Sequence, residues 1–109
     1  MIDWSRVRQL RDEVGAAEFD EVVEIFLDEV KETIDRLHED TNRIEFEQNM
    51  HFLKGSALSL GFDRFSKLCQ DGERIAAAGN ADEVDLPAIL QTYDDSKAMF
   101  IANKAANLT

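Results

Sequence analysis

The sequence predicts an all-α fold: an antiparallel up-down-up-down four-helix bundle, with a short N-terminal helix as a lid on one end. Three observations lead there. One proline and five glycines in 109 residues, with few β-branched runs, leave long segments free to be helical. Apolar residues recur at three- and four-residue spacing. The segments between these stripes are short, so successive helices must run antiparallel. At this length and with 44% apolar content, the chain fits one compact domain, 1–109, without room for a catalytic domain beside it.

Each element has its own signals. The first helix runs from about Trp4 to Val14, capped by Asp3, with Trp4, Val7, Leu10 and Val14 on one side and Gly15 ending it. The second, from about Ala17 to Asp40, carries the clearest stripe: Phe19, Val22, Val23, Phe26, Leu27, Val30, Ile34 and Leu37. Acidic residues cover its other face. The third runs from about Ile44 to Leu60, with Gly61 placed to end it. The fourth starts at Asp63 and ends near Gly79, with Phe65, Leu68, Cys69, Gly72 and Ala76 inward. After a polar turn, Asp85 caps a fifth helix whose first turn tolerates Pro87. Its buried side is expected to hold Leu86, Ile89, Leu90, Tyr93, Phe100 and Ile101.

Charge narrows the function. A net charge of −11 argues against nucleic acid, because phosphate contacts need clustered Lys and Arg. From Asp12 to Glu47 there are 14 acidic residues against Lys31, Arg36 and Arg43. From Gln48 to Gln70 the balance reverses, with Lys54, Arg64 and Lys67 against Asp63 alone. No stretch approaches the roughly 18 continuous apolar residues of a membrane span, and the N-terminus lacks the pattern of a signal peptide. A single cysteine, Cys69, falls on an apolar stripe and reads as a buried small hydrophobe. A monomer in the cytoplasm is the expectation.

The third helix separates into two faces. Phe46, Met50, Leu53, Ala57 and Leu60 lie together and should enter the core. His51 points the other way, with Ile44, Glu47, Gln48, Lys54, Gly55 and Leu58, and Phe62 is expected to extend that surface. On a helix, His51, Lys54 and Gly55 stack within one turn. An imidazole is a nitrogen nucleophile, largely neutral near pH 7. An ammonium one turn away can pair with an anionic group of three oxygens placed on it. Gly55, in a helix interior, sacrifices about 1 kcal/mol relative to alanine, and on this face the compensating reason is access for a partner. Gly72 has the same handicap but falls on a core stripe, where close helix packing is the reason. This is the pattern of a phosphoryl acceptor.

Ile44, Leu58 and Phe62, ringing His51, read as an apolar docking patch. Gln48 and Glu73 are both candidates to hydrogen-bond and orient the imidazole. Lys67 adds local positive charge. Ser56 turns toward the core, where its hydroxyl is expected to bond back to a helix carbonyl. His38 lacks the Lys-Gly pair and reads as a boundary residue near the end of the second helix.

His51, Leu53, Lys54, Gly55 and Ser56, followed by Leu60-Gly61, resemble the signature of the histidine-containing phosphotransfer (HPt) domain family. Phe65, Leu68, Cys69 and Glu73 continue the resemblance, and Phe19, Val22, Val23, Phe26, Leu27 and Glu29 look like the family's preceding helix. Gly72 departs from it, since the family tends to carry a large aliphatic residue there. The resemblance implies the same bundle and a carrier in a bacterial-type two-component phosphorelay. His51 would then take a phosphoryl group through Nε2 from one receiver-domain aspartate and pass it to another. It implies response-regulator receivers and a hybrid histidine kinase or histidine kinase as partners, with Mg²⁺ on the receiver rather than in this chain.

No Gly-rich nucleotide loop or Walker motif is present, so the chain is expected to be a carrier and not a kinase. Two other readings share the site: a phosphoacceptor substrate domain of a separate chemotaxis-type kinase, and a module that binds receivers without turnover. A metal-binding bundle of hemerythrin or ferritin type needs Glu-x-x-His pairs facing inward, whereas Gln48-x-x-His51 lacks the acid and faces out.

Overall fold

A computed structural model describes residues 1–108, so the last residue of the expected 1–109 domain lies outside the described residues. Among the described residues there are five α-helices and no strand: α1 (Trp4–Val14), α2 (Phe19–Glu39), α3 (Phe46–Leu60), α4 (Asp63–Ala77) and α5 (Leu86–Asn107). A short 3-10 turn, Ala81–Glu83, precedes α5, where the sequence predicts a polar turn. Asp3 caps α1 by accepting from the Arg6 amide at 3.2 Å, and Asp85 caps α5 by accepting from the Ala88 amide at 3.1 Å, both as expected.

Contacts at the two ends fix the antiparallel order. At one end Gly61, closing α3, accepts from the Asp3 amide at 2.7 Å, while Lys104 near the end of α5 pairs with Asp20 at the start of α2 at 3.2 Å. α1 closes this end: Trp4 stacks on Phe100 with ring centroids 5.6 Å apart, and Arg11 donates to the Leu108 carbonyl. At the other end Arg43, between α2 and α3, donates to the carbonyls of Ala81 at 2.7 Å and Val84 at 2.9 Å. Its guanidinium also lies 4.9 Å from the centre of the Phe46 ring, so one side chain ties three segments together.

The core is continuous along the bundle. Val30, Phe46, Met50, Leu53, Leu60, Phe65 and Phe100 are buried, as the helical stripes require. Cys69 is buried too, and burial pushes its thiol up to about 12, which leaves it an unreactive small hydrophobe. Gly72 lies where a Cβ would sit 3.1 Å from the Met50 sulfur and 3.5 Å from Ile89 Cδ1. Helix packing accounts for this glycine, and Met50 fills the room that a large aliphatic residue would take. Ile101 corrects the expectation for α5. It is 61% exposed, because a residue next to Phe100 is turned about 100° from the core stripe.

Two further corrections bear on the patch expected around His51. Phe62 is fully buried, packed between Tyr93 at 6.2 Å and Phe100 at 5.7 Å. Extending the helical phase past Leu60 put it on the outer face. The helix instead stops in a left-handed turn at Gly61 (φ 75°), with the Gly61 amide on Leu58 and the Phe62 amide on Ala57. That reversal drives Phe62 inward. Gly61 also cannot be replaced cheaply, since a Cβ there would sit 2.7 Å from the Asp3 carbonyl. Ile44, though 82% exposed, is not on α3: the Asp40 carboxylate holds the amides of Ile44 and Glu45 at 3.0 and 2.9 Å, and Arg43 takes a positive φ of 53°. This turn delays the helix to Phe46 and leaves Ile44 beside the end of α2.

Candidate functional site

α3 presents the site. Phe46, Met50, Leu53, Ala57 and Leu60 anchor its inner face, and that phase turns His51 outward with 69% of its side chain exposed. Gly55, one turn on, is exposed, and a Cβ built there meets none of the described residues within 4 Å. Open space therefore lies beside the imidazole, and no neighbouring helix fills it. Leu58, 56% exposed, continues the surface toward α1, where it borders a notch of about 370 Å³ that Arg6 and Gln9 help to line. The contribution of α1 was not legible beforehand, because nothing in the spacing along α1 shows which helix end it covers. Phe52, the residue after His51, is a further exposed apolar side chain on α3, at 40%.

α4 supplies the second half. The turn at Gly61 and Phe62 returns the chain antiparallel to α3, and the burial of Cys69 and Gly72 leaves Glu73 on the edge facing His51. One carboxylate oxygen of Glu73 accepts from His51 Nδ1 at 2.5 Å; the other accepts from Lys54 Nζ at 2.6 Å. The Lys54 ammonium, by its hydrogen bond, holds the Glu73 carboxyl below the usual range. Partial desolvation opposes this and the His51 bond adds to it. An ionised carboxylate can only accept, so the proton lies on Nδ1 and the lone pair on Nε2. Nε2 has no hydrogen-bond partner among the described residues.

Of the two residues expected to orient the ring, the structure brings Glu73 to it and leaves Gln48 exposed, with no side-chain hydrogen bond among the described residues. Lys54 is partly buried and held by Glu73, a partnership that spacing along α3 could not reveal. Lys67 is exposed on α4. Ser56 is buried without a hydroxyl hydrogen bond among the described residues; the hydroxyl tying α3 to its neighbour is that of Ser66, which donates to the Lys54 carbonyl at 3.2 Å. His38 is exposed near the end of α2 with no side-chain partner among the described residues. Among the described residues no three His, Cys, Asp or Glu side chains gather to hold a metal ion, and no helix is long and apolar enough to cross a membrane.

Two comparisons with known proteins bear on the family of the chain. The Hpt domain family model matches residues 21–100, which takes in α3, α4 and most of α2 and α5. The chain belongs to the Hpt domain family. It is also similar to phosphorelay intermediate protein YPD1 of Candida albicans, with 32% identity over 114 residues. That alignment covers 98% of this chain, which spans 60% of the length of the relative. No solved structure matches the chain.

Proposed function

We propose that this Hpt chain is a phosphorelay intermediate of a two-component system of the bacterial type, working in the cytoplasm, with His51 as the phosphoryl carrier. The single observation behind this reading is the imidazole itself. Its Nδ1 is occupied by Glu73, its Nε2 is unpartnered among the described residues, and the adjacent helix turn is cleared by Gly55.

Transfer then runs in two steps. The aspartyl phosphate of one receiver places its phosphorus in line with Nε2, and the N–P bond forms as the acyl O–P bond breaks. A second receiver reverses the exchange. Receivers supply the acidic pocket and the Mg²⁺ that polarises the phosphoryl oxygens, and a hybrid histidine kinase or histidine kinase feeds the first receiver. This chain contributes the nucleophile, its orientation, and clearance for the incoming pocket. Leu58 supplies apolar contact area, and Lys54 and Lys67 offset phosphoryl charge.

The test is to mix the purified chain with Mg²⁺ and a panel of phosphorylated receivers from its own cell. Rapid movement of label to an acid-labile, alkali-stable adduct on this chain supports the relay. A parallel mixture with isolated kinase cores and ATP separates the relay from a kinase-substrate domain: direct loading by a kinase core, with no receiver exchanging, favours the latter. Tight receiver binding with no label moved would leave a binding module only.

A further inference from the structure

Glu73 is held from both sides. Its carboxylate bonds ring Nδ1 through one oxygen and the Lys54 ammonium through the other, with 20% of the side chain exposed. Among the described residues it is the one carboxylate within ion-pair distance of the His51 ring; α1, α2, α5 and the rest of α3 bring none. A neutral amide at this position would suffice to orient an imidazole. A charged carboxylate does something more once a phosphoryl group is attached.

We propose that Glu73 governs how readily His51 gives a phosphoryl group away, by retaining the proton on Nδ1 of the phosphorylated ring. This rests on the carrier reading above and concerns the step after loading. On loading, the Nε2 lone pair forms the N–P bond, while the electron pair of the broken O–P bond stays with the donor carboxylate. The ring keeps its Nδ1 proton and becomes cationic. Facing Glu73, that cation is half of an ion pair, so the proton stays. On unloading, an acceptor carboxylate oxygen bonds phosphorus, the N–P bond breaks, and its electron pair returns to Nε2. The departing ring is then a neutral imidazole.

Without the Nδ1 proton the ring would have to depart as an imidazolate anion, a far poorer leaving group. Glu73 therefore makes His51 a carrier that empties quickly, not a store. Lys54 tempers the effect, because it draws on the same carboxylate.

Phosphoramidate, a small chemical donor that needs no partner protein, can load the parent, Glu73→Gln and Glu73→Ala alike. Phosphohistidine lifetime and transfer to an unphosphorylated receiver are then followed from about pH 6 to about pH 9, either side of neutrality. Glu73→Ala should hold its phosphoryl group roughly tenfold longer toward the alkaline end and transfer it correspondingly more slowly. Glu73→Gln should fall between, since its amide oxygen accepts from Nδ1 without supplying charge. Nitrogen NMR of the phosphorylated ring should show Nδ1 losing its proton at lower pH in Glu73→Ala than in the parent.

A merely structural residue would move the melting temperature and leave these pH profiles alone. A folded Glu73→Ala variant that empties at the parental rate throughout, with unchanged Nδ1 deprotonation, overturns the proposal. If that variant melts early, Glu73→Gln decides by the same criterion. A parent that loads from phosphoramidate yet exchanges with no receiver contradicts the carrier reading instead, and leaves the lifetime comparison standing.

Discussion

Gly55 on α3 and Gly72 on α4 look alike in sequence: each interrupts a helix interior and each weakens it by about 1 kcal/mol relative to alanine. Their surroundings are opposite. Beside Gly72, Met50 and Ile89 crowd the place where a Cβ would go, whereas no described residue comes within 4 Å of a Cβ built at Gly55. One glycine makes room for the molecule's own helices, and the other leaves room that the molecule itself does not use. The open one lies a turn from an exposed histidine whose Nδ1 is bonded and whose Nε2 has no partner among the described residues. Clearance on the outside of a bundle points to a guest, and the chemistry beside it indicates which guest.

The largest expected effect breaks that contrast at the open side. Gly55→Gln should melt at the same or a higher temperature than the parent, since glycine loses more backbone entropy on folding. Phosphotransfer from a receiver should fall roughly 10²-fold, because the incoming pocket can no longer close on Nε2. Thermal melting beside single-turnover transfer reads both. An unfolded variant would mean that a neighbouring element fills the space, and parental transfer would mean that the glycine protects nothing.

The packed side should respond the other way. Gly72→Leu is expected to lose about 2 kcal/mol of stability by overpacking against Met50, with near-parental transfer by the folded fraction. Chemical denaturation measures the first, and combining it with Met50→Ala should restore part of the loss. A stable Gly72→Leu protein would remove the packing account of this glycine.

Leu58, a turn beyond Gly55 on α3, is exposed on the same face as His51. Leu58→Glu should weaken receiver binding about tenfold, the scale of one lost apolar contact, while barely moving the melting temperature. Titration calorimetry and thermal melting together test this, and a drop in stability without a change in affinity would put Leu58 in the core.

The smallest effect is on stability versus pH. The Glu73 carboxyl is held below its ordinary value of 4.5, so its bridge stabilises the fold above the unfolded-state value. That stabilisation is lost as pH falls through the lower folded-state value. The stability difference between the parent and Glu73→Gln should therefore be present near neutrality and shrink toward zero in strong acid. A difference independent of pH would show that Glu73 acts by packing alone.

Periodicity made most of the fold legible. The long stripe of α2 and the caps at Asp3 and Asp85 lie where helical phase and side-chain chemistry put them, and Gly61 ends α3 as expected. The two failures at the docking patch share one cause, helical phase carried past a helix end, whereas Ile101 fails inside α5, one residue off the core stripe. Helical phase alone turns Phe62 outward as though α3 continued, and Ile44 as though α3 had already begun, whereas a left-handed glycine and an Asp40-capped turn redirect the chain. At the site, His51, Lys54 and Gly55 were readable because they lie within one turn of one helix. The Glu73 bridge was only half readable. It joins residues 22 apart on two helices, and local spacing cannot decide between Gln48 and Glu73 when register across the α3–α4 packing sets the answer.

A phosphoryl group carried on His51 can be located directly. After incubation with a phosphorylated receiver and Mg²⁺, peptide mass mapping at alkaline pH, which preserves a phosphoramidate, should place the group on His51 and leave His38 unmodified. His51→Gln should then take up no label while melting as the parent does, because the exposed ring contributes little to the core. Label that persists in His51→Gln, or that maps to His38, would contradict the account.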